Sequence, residues 1–173
     1  AAGAELYGGA DNDTLVSTVG ATMVGGAGED VYDASTRSAD AAYTFVWTSA
    51  ETTSDSSSGS PDLVKGFNES KDVLSIVGAG TVDFDIDSQV SLALEGTSRP
   101  SVTVPQGHTD LIVDTAPGTN GDIFVRFNAV IADADTFRDA MTFDLTGTTA
   151  ANTITTGQNA DRIVGGGGAD TLD

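Results

Sequence analysis

Side chains that carry oxygen recur at a spacing of nine residues near the end of the chain. Residues 147–173 divide into the three nines GTTAANTIT, TGQNADRIV and GGGGADTLD. Their sixth positions are Asn152, Asp161 and Asp170, and their eighth positions are Ile154, Ile163 and Leu172. A carboxylate or amide at a fixed phase beside glycine indicates a repeated site for a hard cation.

The same spacing occurs near the other end of the chain. Residues 8–16 read GGADNDTLV and residues 25–33 read GGAGEDVYD, with Asp13 and Asp30 at the sixth position. The eight residues 17–24 carry no acid at the equivalent place and are one residue short of a nine. We interpret them as the opposite turn of a coil. Asp13 and Asp30 would then stack on one edge and could share a cation.

The residue types in each nine predict how it folds. Six glycine-rich residues make a tight turn that a Cβ would obstruct. The remaining three make a short strand whose aliphatic side chain points inward. Two nines complete one coil, so turns 18 residues apart lie over each other. Calcium takes six to eight oxygen ligands, and stacked turns can supply them from backbone carbonyls and from position six.

This arrangement predicts a set of calcium ligands. They are Gly9, Asp11, Asp13, Gly26, Gly28, Asp30, Asn152, Asp161, Gly166, Gly168 and Asp170. The aspartates and Asn152 would bind through side-chain oxygens, and the glycines through backbone carbonyls or by permitting the turn. Thr148 and Thr149 replace glycine poorly, so the turn before Asn152 could be structural only. A flexible glycine-rich linker is the alternative, and the strict phase of the aliphatic residues argues against it.

The repeats and the middle of the chain both resemble known families. The last two nines approach G-G-x-G-x-D-x-U-x, where U is a large aliphatic residue, and resemble the calcium-binding nonapeptide of RTX proteins. Residues 62–76 are similar to a motif, D-x-I-x-x-F-x-x-G-x-D-x-I-x-L, in the β-rich cap of serralysin-type proteases, RTX lipases and alginate epimerase modules. The matching residues are Asp62, Phe67, Asp72, Leu74 and Ile76. Ser70 stands where that motif usually has glycine.

The resemblance implies an all-β fold in three parts. Residues 1–33 and 147–173 would be segments of a parallel β-roll, and residues 34–146 a β-sandwich-like cap with one short helix. The segment Asp133–Met141 is the predicted helix, which Asp133 or Asp135 could cap. Both ends of the sequence lie within repeats, so we expect a fragment of a longer protein.

Two other features of the middle segment bear on chemistry. Asp83, Asp85 and Asp87 alternate, which predicts one shared strand face. That face would be solvated, and an additional cation site or an acidic pair is the alternative. The aromatic rings of Tyr43 and Trp47 could bind a sugar, but the apolar stretch YTFVW favours a buried strand.

The sequence offers no recognisable catalytic set. His108 is the only histidine and cysteine is absent, which excludes the usual zinc sites. No H-E-x-x-H or G-x-S-x-G motif is present, and the GGGGAD stretch lacks the lysine of a phosphate-binding loop. We therefore interpret His108 as an exposed loop residue and expect this part of the protein not to be an enzyme.

Charge limits the partners. The chain has 26 acidic and 7 basic residues, a formal net charge of −19, and residues 1–33 contain no Lys or Arg. Such a surface repels nucleic acid and anionic membranes, and it also repels itself unless cations neutralise it. No apolar run reaches the length needed to span a bilayer.

The resemblance implies type I secretion from a Gram-negative bacterium and folding on meeting external calcium. We expect a calcium-binding structural or adhesive module of an extracellular or cell-surface protein, such as an adhesin, a surface layer or a filament. Its partners would be calcium, and other copies or neighbouring repeats of the parent chain. The alternative is a non-catalytic RTX module of a type I-secreted hydrolase or alginate epimerase. Repeats on both sides of the cap favour the structural reading.

Overall fold

The computed structural model describes residues 3–48, 61–78, 83–94, 104–114, 122–131 and 133–173. Most of these segments alternate apolar and polar side chains and form strands. The strands are β1 (Ala4–Ala10), β2 (Thr14–Val16), β3 (Ala21–Ala27), β4 (Val31–Asp33), β5 (Thr44–Thr48), β6 (Asp62–Lys65), β7 (Val73–Val77), β8 (Asp83–Asp85), β9 (Val90–Leu94), β10 (Thr109–Asp114), β11 (Asp122–Phe127), β12 (Met141–Thr146), β13 (Thr153–Thr155), β14 (Arg162–Val164) and β15 (Thr171–Leu172). The helices in these ranges are α1 (Ile86–Gln89) and α2 (Ala134–Arg138).

One parallel sheet, the long sheet, runs from one end of the molecule to the other. Its six strands lie in the order β1, β3, β5, β7, β12 and β14. Every neighbouring pair in it is parallel. Parallel neighbours require a crossover between them, and each crossover here passes over the opposite face. The chain is therefore wound as a β-roll.

The opposite face consists of two sheets. In the second sheet β2, β4, β6 and β11 are parallel. Strands β10 and β9 continue that sheet in antiparallel pairing beyond β11. The third sheet is parallel and contains β8, β13 and β15. The β9–β10 hairpin is thus the part of the fold that departs from simple winding.

The register of the strands gives the length of the end coils. Near the first end Gly9 lies beside Gly26, an offset of 17 residues. Near the other end Ile154 lies beside Leu172, an offset of 18 residues. These offsets confirm that two nines make one coil and that residues 17–24 are one residue short.

The strands of the middle segment belong to the same sheets as those of the repeats. Strand β3 pairs with β5, and β4 pairs with β6. Strand β12 pairs with β7 on one side and with β14 on the other. The all-β prediction, with parallel rolls at the ends, is confirmed. The middle segment has the two-layer packing expected of the cap, but its strands belong to the same sheets as the strands of the repeats. The middle coils therefore cover the inner end of each repeat segment.

A single core lies between the long sheet and the opposite face. Strand alternation aims every second side chain inward, which aligns buried residues from coil to coil. On the long sheet the largest aligned row is Met23, Phe45, Leu74 and Met141. On the second sheet the corresponding row is Leu15, Tyr32, Val64 and Phe127.

Aromatic contacts join the two faces in the middle of the molecule. The ring of Tyr32 lies 5.8 Å from that of Phe45 and 5.4 Å from that of Trp47. Tyr43 and Trp47 are each 1% exposed, so the prediction that both are core residues is confirmed.

One local prediction for the middle segment is wrong, and another holds except for the end of the helix. Asp83 and Asp85 lie on β8, but Asp87 lies on α1, so the three do not share a strand face. The reason is local: the carboxylate of Asp85 accepts the backbone N–H of Asp87 at 3.0 Å and caps a helix. The predicted helix Asp133–Met141 is shorter, because Asp133 caps α2 but Met141 begins β12.

Candidate metal centres

Three of the four position-six aspartates make the same hydrogen bond to the neighbouring coil. Asp30, Asp161 and Asp170 each accept, on Oδ1, the backbone N–H of the register partner one coil earlier. Asp30 accepts from Asp13 at 2.8 Å, and Asp170 accepts from Asn152 at 3.0 Å. Asp161 accepts from Phe143 at 2.8 Å. One carboxylate oxygen therefore ties coil to coil, which leaves the other available.

The second carboxylate oxygen is buried without a partner at several of these positions. Among the described residues, Oδ2 of Asp13, Asp30 and Asp161 has no hydrogen-bond partner. A buried carboxylate oxygen without a partner is costly, and a cation is the partner that relieves the cost best. Burial also raises the pKa of Asp30, and the nearby Asp13 carboxylate adds to the rise. Each of these oxygens is a ligand of the kind that calcium binds.

In the N-terminal pair of turns, backbone carbonyls face the gap between the coils. A Cβ at Gly26 would collide with the carbonyl oxygen of Gly9, and a Cβ at Gly28 with that of Asp11. Gly9 and Gly26, both at position two, have φ of 114° and 106°, which L-residues rarely adopt. Glycine is therefore required for these carbonyls to approach the next turn.

Asp11 occupies a place where the repeat pattern has glycine. Its φ is 72°, in the left-handed region that aspartate tolerates better than most residues. Its counterpart one coil later, Gly28, also has a positive φ of 137°. The backbone at position four therefore has a positive φ in both turns, although the residue is aspartate in one and glycine in the other.

The C-terminal pair of turns repeats this geometry with fewer carboxylates. Gly166 and Gly168 have φ of 88° and 113°. A Cβ at Gly166 would meet the carbonyl of Thr148, and one at Gly168 would meet that of Ala150. Asp170 is the one acid at position six of this pair.

The side chain of Asn152 forms a hydrogen bond within its own turn. It is 2% exposed, and its Oδ1 accepts the backbone N–H of Thr148 at 2.7 Å. Its own backbone N–H donates to Asp170. These contacts explain how the first C-terminal turn holds its shape without glycine at positions two and four, Thr148 and Ala150.

The predicted ligands lie in three separate places. Gly9, Asp11, Asp13, Gly26, Gly28 and Asp30 form the N-terminal pair of turns. Asn152, Gly166, Gly168 and Asp170 form the C-terminal pair on the same edge. Asp161 lies on the opposite edge, where Asn159 donates to the carbonyls of Asp139 and Met141 at 2.6 and 2.7 Å.

Backbone carbonyls would have to supply most of the ligands at each place. In the described ranges, no three carboxylate or imidazole side chains gather into one group that could hold a metal. Calcium accepts backbone carbonyls readily and takes at least six oxygens. The combination of one or two carboxylates with inward carbonyls therefore suits calcium, whereas a zinc site would need histidine or cysteine.

Two further aspartates, Asp62 and Asp72, occupy the same register position in the middle coils. Oδ1 of Asp62 accepts the backbone N–H of Asp30 at 2.8 Å, and Oδ1 of Asp72 accepts that of Tyr43 at 3.0 Å. The sequence analysis did not rank them as site residues. A shared triplet would have found them: an aspartate, any residue, then a buried apolar residue, here Val64 or Leu74.

The carboxylate of Asp62 is satisfied by protein donors. Its Oδ2 accepts the indole N–H of Trp47 at 2.8 Å. Burial raises the pKa of Asp62 to about 7, against hydrogen bonds from the Asp30 N–H, the Trp47 indole and the Tyr32 hydroxyl, which lower it. Asp62 thus lies in the same stacked row as Asp13 and Asp30. Its second carboxylate oxygen accepts the indole N–H of Trp47, whereas theirs have no hydrogen-bond partner among the described residues.

The lone histidine lines a surface cavity together with Asp30 and Arg126. His108 lies in the turn before β10, and its Nδ1 is 2.9 Å from the carbonyl oxygen of Gln106. No helix within the described ranges is long and apolar enough to cross a bilayer.

A family model for the RTX calcium-binding nonapeptide repeat matches the chain in four copies, at residues 5–21 and 144–173. These ranges include the first N-terminal turn and both C-terminal turns. The turn at residues 25–30 lies outside the matched ranges, although it stacks on the first with the same backbone geometry. No curated protein and no solved structure matches the chain significantly.

Proposed function

Because this chain carries RTX calcium-binding repeats, we propose that it is a structural or adhesive module of a secreted cell-surface protein, which calcium ions hold in its folded form. RTX repeats bind calcium and are typical of proteins secreted by Gram-negative bacteria. Within that class, an adhesin, a surface layer or a filament suits repeats that lie at both ends of one continuous stack.

One observation carries the calcium part of the proposal. The buried Oδ2 atoms of Asp13, Asp30 and Asp161 have no hydrogen-bond partner among the described residues. In the N-terminal pair of turns, the carbonyl oxygens of Gly9 and Asp11 approach Gly26 and Gly28 of the next coil. Ligands of this kind, oxygen only and mixed between carboxylate and carbonyl, select calcium.

Replacing Asp30 with alanine tests the N-terminal centre. Asp30→Ala removes a buried carboxylate, and we expect calcium affinity there to fall on the order of tenfold or more. Calorimetric titration of the chelator-treated chain with calcium measures it. Asp40→Ala is the matched control, because Asp40 is exposed and its loss changes the net charge equally. Equal affinity in the two variants would place the metal elsewhere.

The assembly part of the proposal concerns the two ends of the stack. In the described part of the chain, β1 and β14 each have a neighbour in the long sheet on one side only. Tyr7 near one end and Leu172 near the other are exposed. Two different end surfaces favour open head-to-tail stacking, and unpaired strand edges invite it. Flanking repeats of the parent protein are the other occupants that would fit.

Calcium should control this association. The net charge of −19 opposes contact between copies, and ions shared at the seam would reduce that repulsion. We expect sedimentation of the isolated chain to show larger species at millimolar calcium and monomers in chelator. A monomer at high calcium and high protein concentration would count against assembly and would favour an accessory module of a secreted enzyme.

A further inference from the structure

Asp72 and Asp161 occupy equivalent places on the same edge of the molecule. Each directly precedes a strand of the long sheet, β7 for Asp72 and β14 for Asp161. Each accepts the backbone N–H of its register partner, Tyr43 at 3.0 Å and Phe143 at 2.8 Å. The two carboxylates differ in what meets the second oxygen.

At Asp161 the second oxygen is buried without a partner in the described part of the chain, whereas at Asp72 it accepts from Arg37 and from the backbone N–H of Asn68 at 2.8 Å. The guanidinium of Arg37 donates to Oδ1 of Asp72 at 2.9 Å and to Oδ2 at 2.5 Å. The side chain of Asp72 is fully buried and that of Arg37 is 15% exposed. This fork-shaped pairing is a strong form of the charge-assisted hydrogen bond.

The remaining partners of the guanidinium are backbone carbonyls. Arg37 donates to the carbonyl of Gly66 at 2.5 Å and to that of Ala41 at 3.4 Å. Its surroundings are therefore two carboxylate oxygens and two carbonyl oxygens from successive turns. Calcium would draw its ligands from the same chemical groups. The carbon at the centre of the guanidinium also lies 4.8 Å from the ring centre of Tyr43, which helps to fix the side chain.

We infer that Arg37 is a built-in cation that takes, in the middle coils, the place that calcium takes in the end coils. Calcium can be removed by a chelator, but an arginine is covalently attached and stays charged in proteins. The other middle carboxylate, Asp62, is likewise satisfied by Trp47. The coils of β5, β6 and β7 therefore hold together without calcium and present paired edges on which β3 and β12 can form.

Two substitutions of similar size to each other separate the charge of Arg37 from the fork geometry of its guanidinium. Arg37→Gln keeps a polar stem beside Tyr43 but removes the charge, and Arg37→Lys keeps the charge but not the fork. The measurement is amide hydrogen exchange of β5 and β7 in the full chain, with chelator present throughout. Arg162→Gln is the control, since Arg162 makes an ion pair with Asp144 in which both side chains are well exposed.

In chelator, we expect the wild-type chain to keep β5 and β7 protected. Arg37→Gln should lower that protection by about a hundredfold or more, because it leaves a buried carboxylate with two backbone N–H donors but no opposite charge. Arg37→Lys should retain clearly more protection than Arg37→Gln, and Arg162→Gln should stay close to wild type.

Three results would overturn the inference. They are a wild-type chain whose β5 and β7 are unprotected in chelator, equal protection in Arg37→Gln and Arg37→Lys, and an equal loss in Arg162→Gln. Since no calcium is present in this experiment, its outcome does not depend on the proposed calcium centres. A failure of those centres would appear in the titration of Asp30→Ala instead.

Discussion

Chelation of calcium is expected to unfold both ends of the stack before its middle. Strands β1 to β4 and β13 to β15 hold the buried carboxylate oxygens that lack protein partners, and residues 1–33 contain six acids and no base. A metal that binds only the folded state stabilises it by about 2.7 kcal/mol at 100-fold excess over its dissociation constant. Two or three such ions would supply most of the stability of a domain this size.

Hydrogen exchange resolved by segment measures this effect, with circular dichroism as the global probe. In chelator the amides of β3 and β14 should exchange at rates close to those of an unfolded chain, and millimolar calcium should restore their protection. Magnesium is the matched control ion, because it demands octahedral geometry at shorter distances and dehydrates reluctantly. An exchange pattern that is identical with and without chelator would refute the proposed calcium dependence.

Replacing Trp47 with alanine should be the most damaging single core substitution. Trp47 is 1% exposed, contacts Tyr32 across the core and donates its indole N–H to Asp62. Loss of the ring costs about 3–5 kcal/mol, and the loss of the indole hydrogen bond to the buried Asp62 adds about 1–3 kcal/mol. We expect Trp47→Ala to be largely unfolded even in calcium.

Two milder variants separate these contributions. Trp47→Phe keeps much of the packing but removes the N–H donor, so it should cost about 1–3 kcal/mol. Val46→Ala lies on the same strand with a half-buried side chain and should cost less than Trp47→Phe. Because Trp47 is the only tryptophan, denaturant unfolding must be followed by circular dichroism. Equal midpoints for Trp47→Phe and Val46→Ala would contradict the role given to the indole N–H.

The ends of the fold could be predicted from the sequence because their coils are regular. An aspartate at position six followed by a large apolar residue at position eight recurs in both turns, so the stacking of Asp30 on Asp13 follows from their 17-residue separation. The hydrogen bond between these residues confirms that stacking. Periodicity can identify a coil only while the coil keeps its length.

The strands of the middle coils keep the pairing register of the end coils, but the number of residues in each coil is different. Asp62 lies 32 residues after Asp30, its register partner, and Asp72 lies 29 residues after Tyr43. More residues separate the paired strands here than in the end coils, so no nine-residue count can reveal the pairing. The aspartate triplet is still present in the middle coils because it lies at the start of the strand. There the aspartate accepts a backbone N–H from the neighbouring coil.

The partners of the second carboxylate oxygens could not be predicted from the sequence at all. Arg37 reaches Asp72 across 35 residues, and Trp47 reaches Asp62 across 15. Each contact depends on which turns stack, a property of the tertiary fold. The misplaced Asp87 shows the opposite effect, because a single hydrogen bond to Asp85 is enough to turn a strand into a helix.

The winding of the chain determines how the module would respond to mechanical load. Because β1 and β14 lie at opposite edges of the long sheet, tension between the two ends acts across the strands and peels coils away singly. Each end coil of 17 or 18 residues would release about 60 Å of extended chain. Calcium between the turns resists the first of these steps, and the Arg37–Asp72 pair resists the last. A surface protein built this way would lengthen in stages under shear, with a yield point that depends on the calcium concentration around the cell.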